Sequence, residues 1–145
     1  MILLMDFKGA SYYIIISIIN ILNQKKSKHS FYCNVCNTKS PYFVHTSNCY
    51  RISWNSICTY CNSRKRHRGL YELYQSQLKK MNNLRILHFA PEPVFYHLFN
   101  QFEYITADIS LTDVDIQLNI ENIDCKFESF DLILCNHVLE HVKKD

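Results

Sequence analysis

Four of the seven cysteines form two pairs, Cys33 with Cys36 and Cys58 with Cys61, and each pair has two residues between its thiols. Two intervening residues allow a tight turn to aim both sulfurs at one metal ion, and two such turns complete a closed tetrahedral site for Zn²⁺. A site with four thiolates has no open position, so we expect its metal to be structural. The alternative is that the cysteines pack as small hydrophobic residues without a metal.

The segment between the two pairs contains β-prone aromatic runs at residues 42–44 and 50–54, which are typical of the short hairpins of a zinc ribbon. Cys49, Cys125 and Cys135 fit no ligand spacing, and His45 or Cys49 would serve as a ligand only if one pair failed. An odd number of cysteines with this spacing favours a reducing compartment over a disulfide framework. We therefore expect a cytoplasmic protein.

A basic run occupies residues 64–68 (RKRHR), directly after the second cysteine pair. It has two interpretations: Arg64 to Arg68 contact the phosphates of a nucleic acid, or they form a solvated first helical turn that docks on acidic residues elsewhere. The charge distribution leaves both open, since residues 1–81 hold twelve Lys and Arg against two acids, whereas residues 82–145 hold four against eleven. A helix is predicted to follow, with Leu70, Tyr71, Tyr74, Leu78 and Met81 at intervals of three and four.

The N-terminal region contains an apolar stretch at residues 12–22. Eleven residues of helix reach only about 16 Å, against a hydrocarbon core of about 30 Å, so the stretch is too short to span a membrane. A signal peptide is disfavoured because no small-residue cleavage site follows. We predict an amphipathic helix whose apolar face packs on the next domain and whose polar stripe is formed by Tyr13, Ser17, Asn20 and Gln24.

The second half of the chain alternates strand-like runs at 84–89, 104–108 and 130–135 with a helix predicted over 93–100, the pattern of a parallel α/β sheet. In open sheets of this type ligands bind beyond the carboxyl ends of the strands, so the loops at 90–93, 108–110 and 136–137 are expected to face one pocket. Asp108 ends the second strand. A carboxylate there can accept hydrogen bonds from both hydroxyls of a ribose.

From Cys33 to Asp145 the chain resembles the class I S-adenosylmethionine-dependent methyltransferases, in a branch that carries a zinc ribbon. The resemblance rests on the order of the two cysteine pairs, the segment 63–68, the run 87–92 (LHFAPE), Asp108 and the run 130–142 (FDLILCNHVLEHV). The last of these is similar to the fourth strand and following helix start of the type-11 group. The resemblance implies a Rossmann-like parallel sheet, S-adenosylmethionine as cofactor, and methyl transfer to an acceptor that the sequence does not identify.

The resemblance also assigns roles to residues. Asp108 would bind ribose, Asn119 and Ile120 would contact adenine, and Asn136 with His137 would line the floor near the sulfonium. His137 is the best candidate for a base that acts on the acceptor. The full set of cofactor-binding residues implied in this way is His88, Ala90, Glu92, Asp108, Asn119, Ile120 and Asn136.

The chain departs from the general methyltransferase pattern at several positions. Ala90, Glu92 and Val94 stand where glycines often stand, and Asn119 replaces the usual aspartate. We further expect a partial sheet, because the strands that follow the fourth in such domains have no counterpart before Asp145; one face of the fourth strand then needs cover, from a second chain for example. A partial domain leaves open an alternative function, a non-catalytic zinc-ribbon scaffold that contacts nucleic acid or a protein partner.

The expected organisation is an N-terminal amphipathic helix with a basic linker (1–28), a Cys₄ zinc ribbon with the basic run (29–68) and a truncated Rossmann-like methyltransferase domain (69–145). One competing motif overlaps the last of these. Residues 137–141 match H-x-x-E-H, in which two histidines one helical turn apart bind a catalytic zinc. That motif needs both histidines inside a helix, whereas His137 directly follows an apolar strand, so we expect His141 to be a surface residue.

Overall fold

The computed structural model describes residues 7–26, 30–47, 51–123 and 128–143. The chain divides into two compact units, unit 1 (Met1–Leu73) and unit 2 (Tyr74–Asp145). Cys49 and Cys125, which the sequence left without a ligand role, lie outside the described residues. Within the described ranges, no helix combines the length and the apolar character needed to cross a membrane.

Unit 1 is built from two short antiparallel hairpins and two helices. Its first hairpin pairs β1 with β2, and its second pairs β3 with β4. The division between the units falls within the second helix, α2. The elements are α1 (Phe7–Lys26), β1 (Phe31–Cys33), β2 (Thr38–Ser40), β3 (Phe43–Ser47), β4 (Ile52–Cys58) and α2 (Lys65–Leu78).

Asparagine takes the place of glycine in the tight turns of this chain. The sequence has only two glycines, and neither has a positive φ. Asparagine tolerates the left-handed region because its short side chain bonds to the local backbone. Four asparagines adopt φ values between 48° and 57°, namely Asn37, Asn55, Asn62 and Asn83.

The face of α1 that packs on the second hairpin is mixed, with Ile16 buried and Asn20 and Asn23 half-buried, so the prediction that the wide apolar face packs there was wrong. The register of β3 and β4 shifts at His45. The side chain of Asn20 accepts a hydrogen bond from the His45 N–H (2.9 Å) and donates one to the His45 carbonyl (3.0 Å). This amide thus satisfies backbone groups at the irregularity. Ile16 is buried, but most large apolar side chains of α1 are exposed: Tyr13, Ile14, Ile15, Ile18, Ile21 and Leu22.

Unit 2 contains a sheet of four parallel strands in the order β7-β6-β5-β8, which confirms the predicted α/β class. Three of the strands coincide with the predicted runs, and β7 was not predicted. The predicted helix over 93–100 is a 3-10 turn, Pro93–Phe95, followed by α3 (Tyr96–Phe99). The strands are β5 (Arg85–Phe89), β6 (Glu103–Asp108), β7 (Ile116–Gln117) and β8 (Leu132–Cys135).

Alternate residues of β5 pack on opposite faces of the sheet, as strand geometry requires. Leu87 and Phe89 form an apolar cluster with Ala107 of β6. His88, on the opposite face, packs edge-on against Phe99. Coverage is less complete at β8, where Ile133 is 52% exposed.

Candidate functional site

The four cysteines of the two pairs come together in unit 1. Their sulfur atoms all lie within 4.8 Å of one another, with Cys33 and Cys61 3.7 Å apart and Cys36 and Cys58 3.8 Å apart. Four sulfurs placed 2.3 Å from one ion at the corners of a tetrahedron are about 3.8 Å apart. The predicted arrangement of four metal ligands is therefore confirmed. In the described part of the chain this is the one cluster of three or more such side chains that could hold an ion.

Both cysteine pairs use the same local structure. In each, the first cysteine ends a strand and the second lies in the turn that follows. The next residue is a left-handed asparagine, Asn37 with φ 53° or Asn62 with φ 57°. The second turn is closed by hydrogen bonds from the Asn62 N–H to the Cys58 carbonyl (3.1 Å) and from the Cys58 N–H to the Ser63 carbonyl (2.9 Å). The left-handed residue turns the chain back so that both sulfurs point inward.

The thiols of the cluster differ in their readiness to ionise. Burial raises the pKa of Cys33. Hydrogen bonds from the Ser63 hydroxyl and from the backbone N–H groups of Cys36 and Val35 lower it by more, so the pKa is about 7. Burial raises the pKa of Cys58 to about 12. Metal ligation requires thiolates, so binding of an ion would release protons, above all from Cys58.

The basic run that follows the second pair is not uniform in its contacts. Arg68 donates hydrogen bonds to the carbonyls of Ser63 (2.8 Å), Asn55 (3.2 Å) and Ser56 (3.3 Å). Its guanidinium also lies 4.6 Å from the centroid of the Phe43 ring. Arg68 therefore braces unit 1 internally. The remaining cations of the run, at positions 64 to 66, are exposed.

In unit 2, the carboxyl ends of the strands form one edge of the sheet. Phe89 is level with Ala107 and with Cys135, and Asp108 is level with Gln117. The loops after all four strands therefore begin at the same edge. Six of the seven residues that the sequence resemblance assigns to cofactor binding lie at this edge or directly beyond it: Ala90, Glu92, Asp108, Asn119, Ile120 and Asn136.

The loops after β5 and β8 share an unusual backbone conformation. Ala90 has φ 48° and His137 has φ 55°. Residues with a Cβ rarely adopt this region, and such strain concentrates at functional sites. Ala90 occupies a position where the general pattern has glycine, and its N–H donates to the Ala107 carbonyl at 2.9 Å. The chain thus reaches a glycine-like turn without glycine.

His88, the seventh residue, lies inside the sheet and not at its edge. It is fully buried, and burial lowers its pKa to about 4, so the ring is neutral. Burial also raises the pKa of Tyr104, whose hydroxyl lies 2.7 Å from Nδ1 of His88. The phenol therefore donates to Nδ1, which leaves the ring proton on Nε2. Nε2 is buried and has no hydrogen-bond partner among the described residues.

A second polar group, from Tyr74 at the start of unit 2, meets the same region. The Tyr74 hydroxyl donates to Oδ1 of Asn136 at 2.8 Å, while Nδ2 of Asn136 is buried without a partner among the residues described. Burial raises the pKa of Tyr74, and the negative charge of the Glu92 carboxylate adds to that rise. The same charge raises the pKa of His88, against the larger effect of burial. Sequence reasoning missed Tyr74, because its helical spacing indicated only an apolar face. Buried donors without acceptors cost about 1–3 kcal/mol each, which a polar ligand at this point would offset.

Asp108 organises its own loop at the end of β6. Its Oδ1 accepts hydrogen bonds from the Ser110 N–H (2.7 Å), the Ser110 hydroxyl (3.0 Å) and the Leu111 N–H (2.9 Å). Burial raises the pKa of this carboxyl, but the donors outweigh burial and the net pKa is lowered. Asp108 is therefore ionised at neutral pH. Asn119 likewise bonds its own loop, since its Oδ1 accepts a hydrogen bond from the Glu121 N–H at 2.9 Å.

The carboxylate of Asp115, which sequence reasoning also missed, holds the loop before β7. Its Oδ2 accepts from the N–H (2.8 Å) and hydroxyl (2.7 Å) of Thr106. These bonds lower the pKa of Asp115. No spacing rule would have found this residue, because the contact depends on how the loop folds back onto β6.

His137 is an exposed residue on the loop after β8. Its Nδ1 lies 3.0 Å from a carboxylate oxygen of Glu140. The turn that follows, Leu139–His141, is a single 3-10 turn. His137 and His141 therefore do not share one face of a helix, as the zinc-protease motif would require. His141 is exposed, as expected.

A scan against protein-family models and searches of curated proteins and of solved structures gave no match to the chain.

Proposed function

We propose that unit 2 is the cofactor-binding part of a class I S-adenosylmethionine-dependent methyltransferase domain, and that unit 1 is a zinc ribbon. The strand order β7-β6-β5-β8, with all strands parallel, is the observation that supports the first part. The first strand of the unit, β5, lies inside the sheet. The chain moves outward through β6 and β7 and then returns to the other side of β5. Rossmann-like sheets have this order, and their ligands bind where the direction reverses.

The crevice in this proposal lies beyond the ends of β5 and β8. Ala90 and His137, the left-handed residues of these two loops, flank it, and Nδ2 of Asn136, which has no partner in the described ranges, supplies a donor there. In our proposal Ala90 and Glu92 surround the methionine part of the cofactor, and Asn136 contacts it near the sulfonium. S-adenosylmethionine, when bound, supplies a methyl group on a positively charged sulfur. The chain's own residues bind, orient and exclude water.

The ribose and adenine contacts are assigned to the next two strand ends. Oδ1 of Asp108 is used by its loop, so Oδ2 is the atom that we propose accepts the ribose hydroxyls. Oδ1 of Asn119 already accepts a hydrogen bond from the Glu121 N–H, and its second lone pair would accept one from the N6 amino group of adenine. Ile120 would pack against the ring. We propose that Nε2 of His137 takes a proton from the methyl acceptor. Glu140 orients the imidazole ring through its contact with Nδ1.

We propose zinc as the metal of the cysteine cluster because Zn²⁺ favours thiolate ligands and tetrahedral coordination. Unit 1 has a small apolar core, in which Cys33, Val35, Phe43 and Cys58 are among the few buried side chains. A module of this size gains from a metal the stability that its core does not supply. The closed site gives the ion a structural role.

Calorimetric titration of the full chain with S-adenosylhomocysteine tests the cofactor site. We expect saturable heat, and Asp108→Asn should weaken binding about tenfold or more, because hydrogen bonds to a charged group are the stronger kind. Asp113→Asn is the matched control, since Asp113 is an exposed acid that precedes β7. It should leave affinity within a factor of about two, as surface charges contribute little. No heat and no thermal shift at millimolar ligand would remove the methyltransferase proposal.

Elemental analysis of the same preparation tests the zinc ribbon separately. We expect one zinc per chain. A stoichiometry well below one would remove this part of the proposal and leave the cofactor site untouched. Zinc without cofactor binding would instead favour the alternative, a non-catalytic zinc-ribbon module.

A further inference from the structure

A basic cleft of about 600 Å³ opens in unit 1 among the second hairpin, Arg51 just before β4, and the start of α2. Four cations line it, Arg51 from the hairpin side and Arg64, Lys65 and Arg66 from the helix side. Its other lining residues all carry hydroxyls, namely Thr46, Ser47, Ser53 and Ser56. No carboxylate is among the lining residues. A cleft lined by four cations and four hydroxyl side chains suits a ligand with several negative charges.

The charge of unit 1 reinforces this cleft. Residues 1–73 contain ten Lys and Arg but only two acids, Asp6 and Glu72. Glu72 is engaged elsewhere, accepting a hydrogen bond from Nδ2 of Asn34 at 3.0 Å. Unit 1 therefore carries a large excess of positive charge, and a concave basic surface concentrates anions.

We propose that this cleft binds the phosphodiester backbone of a single-stranded nucleic acid. Its volume exceeds that of one phosphate, and its four cations, which come from two separate elements, can neutralise more than one phosphate along a strand. A concave cleft of this size admits one flexible strand, whereas a rigid duplex presents its phosphates on a convex surface. The lining contains no aromatic side chain, so the contacts are made to phosphates and not to bases, and binding is independent of sequence.

The structure also indicates which cations can be changed without unfolding the unit. Arg68 is excluded, because its guanidinium braces three backbone carbonyls. The Arg64 contacts given by the structure are made by its backbone, namely the bridge to Ile57 and the N–H bond to His67 at 3.2 Å. Lys65 is exposed. The double variant Arg64→Gln/Lys65→Gln therefore removes two cleft charges and leaves the recorded backbone contacts in place.

Fluorescence anisotropy of the full chain with a labelled oligouridylate and a labelled oligothymidylate, each of about twelve nucleotides, measures the binding. We expect both to bind with similar affinity at about 50 mM salt, and more weakly at about 200 mM salt. The double variant should lose about tenfold or more in affinity, and its salt slope should be shallower by about 1.4, which corresponds to two phosphate contacts. Unchanged zinc content and circular dichroism confirm that the variant is folded.

Lys79→Gln/Lys80→Gln is the matched control, because it removes the same charge from exposed residues outside the cleft. It should lose less than about threefold in affinity. Equal losses in the two double variants would show general attraction and overturn the cleft, as would the absence of binding at low salt or strong preference for one base sequence. Binding to phosphatidylserine vesicles but not to either oligonucleotide would equally overturn it. The outcome is independent of cofactor binding by unit 2.

Discussion

The hydroxyl of Ser63 lies 3.2 Å from the sulfur of Cys33, and both residues are fully enclosed. The same hydroxyl is 3.2 Å from the sulfur of Cys61. Ser63 thus joins one sulfur of each cysteine pair through a single side chain. A hydroxyl that donates to a thiolate stabilises its charge, so Ser63 supports the metal ligands without being one of them.

Ser63→Ala should weaken metal binding about 10–100-fold, the usual cost of removing a partner of a ligand. The measurement is competition for zinc with a chromogenic chelator. Ser40→Ala is the matched control, since Ser40 is also fully buried in unit 1 but bonds to Thr59 and Tyr42. An affinity that is the same in both variants would show that the Ser63 hydroxyl has no special effect on the sulfurs.

Removal of the metal should unfold unit 1, because its small core would lose the ligation that holds the two cysteine turns together. Trp54, the single tryptophan, reports on this unit: its ring packs against His45 with centroids 5.0 Å apart. We expect a chelator to shift Trp54 emission to the red, and Cys58→Ser to abolish stoichiometric zinc. Cys135→Ser changes a cysteine outside the cluster and should retain one zinc per chain. An unchanged emission after complete zinc removal would contradict the prediction.

Local rules predicted the cysteine cluster and the central strands, because both depend on short-range pattern. Two residues between thiols fix a turn, and the apolar runs of β5, β6 and β8 are dense enough to indicate buried parallel strands. β7 escaped notice. Residues 114–120 (VDIQLNI) alternate apolar and polar side chains as a strand does, but only two of them, both exposed, pair as β7.

The orientation of α1 was mispredicted because it depends on a distant irregularity. Hydrophobic periodicity placed Asn20 on the solvent side, but the register shift at His45 creates backbone groups that an amide can satisfy. A shift of register in one hairpin is invisible in the sequence of a helix. The side-chain network of Tyr74 and Asn136 is similarly non-local, since it joins residues 62 positions apart.

Ala90→Gly should raise the free energy of unfolding by up to about 1 kcal/mol, because glycine adopts a positive φ without the steric cost that Ala90 bears. Ala107→Gly is the paired control. Ala107 is fully buried in the extended strand β6, where glycine should instead destabilise by about 1 kcal/mol. Urea denaturation measures both. If the two variants were destabilised equally, Ala90 would not be strained.

His88→Gln should flatten the pH dependence of stability. The folded-state pKa of His88 is about 4, against about 6.5 for a histidine in the unfolded chain. Above pH 6.5 both states are neutral and stability is full. As the pH falls towards 4, the unfolded chain binds a proton that the folded chain excludes, so stability is lost, by about 3 kcal/mol in total. Urea denaturation at pH 7 and at about 4.5 should show a loss about 2 kcal/mol larger in the unsubstituted chain than in His88→Gln. This variant keeps a partner for Tyr104 but does not titrate.

The control for this prediction is His137→Gln, a substitution at an exposed position, which should retain the full pH dependence. A His88→Gln curve parallel to that of the unsubstituted chain would show that His88 is not held neutral by burial.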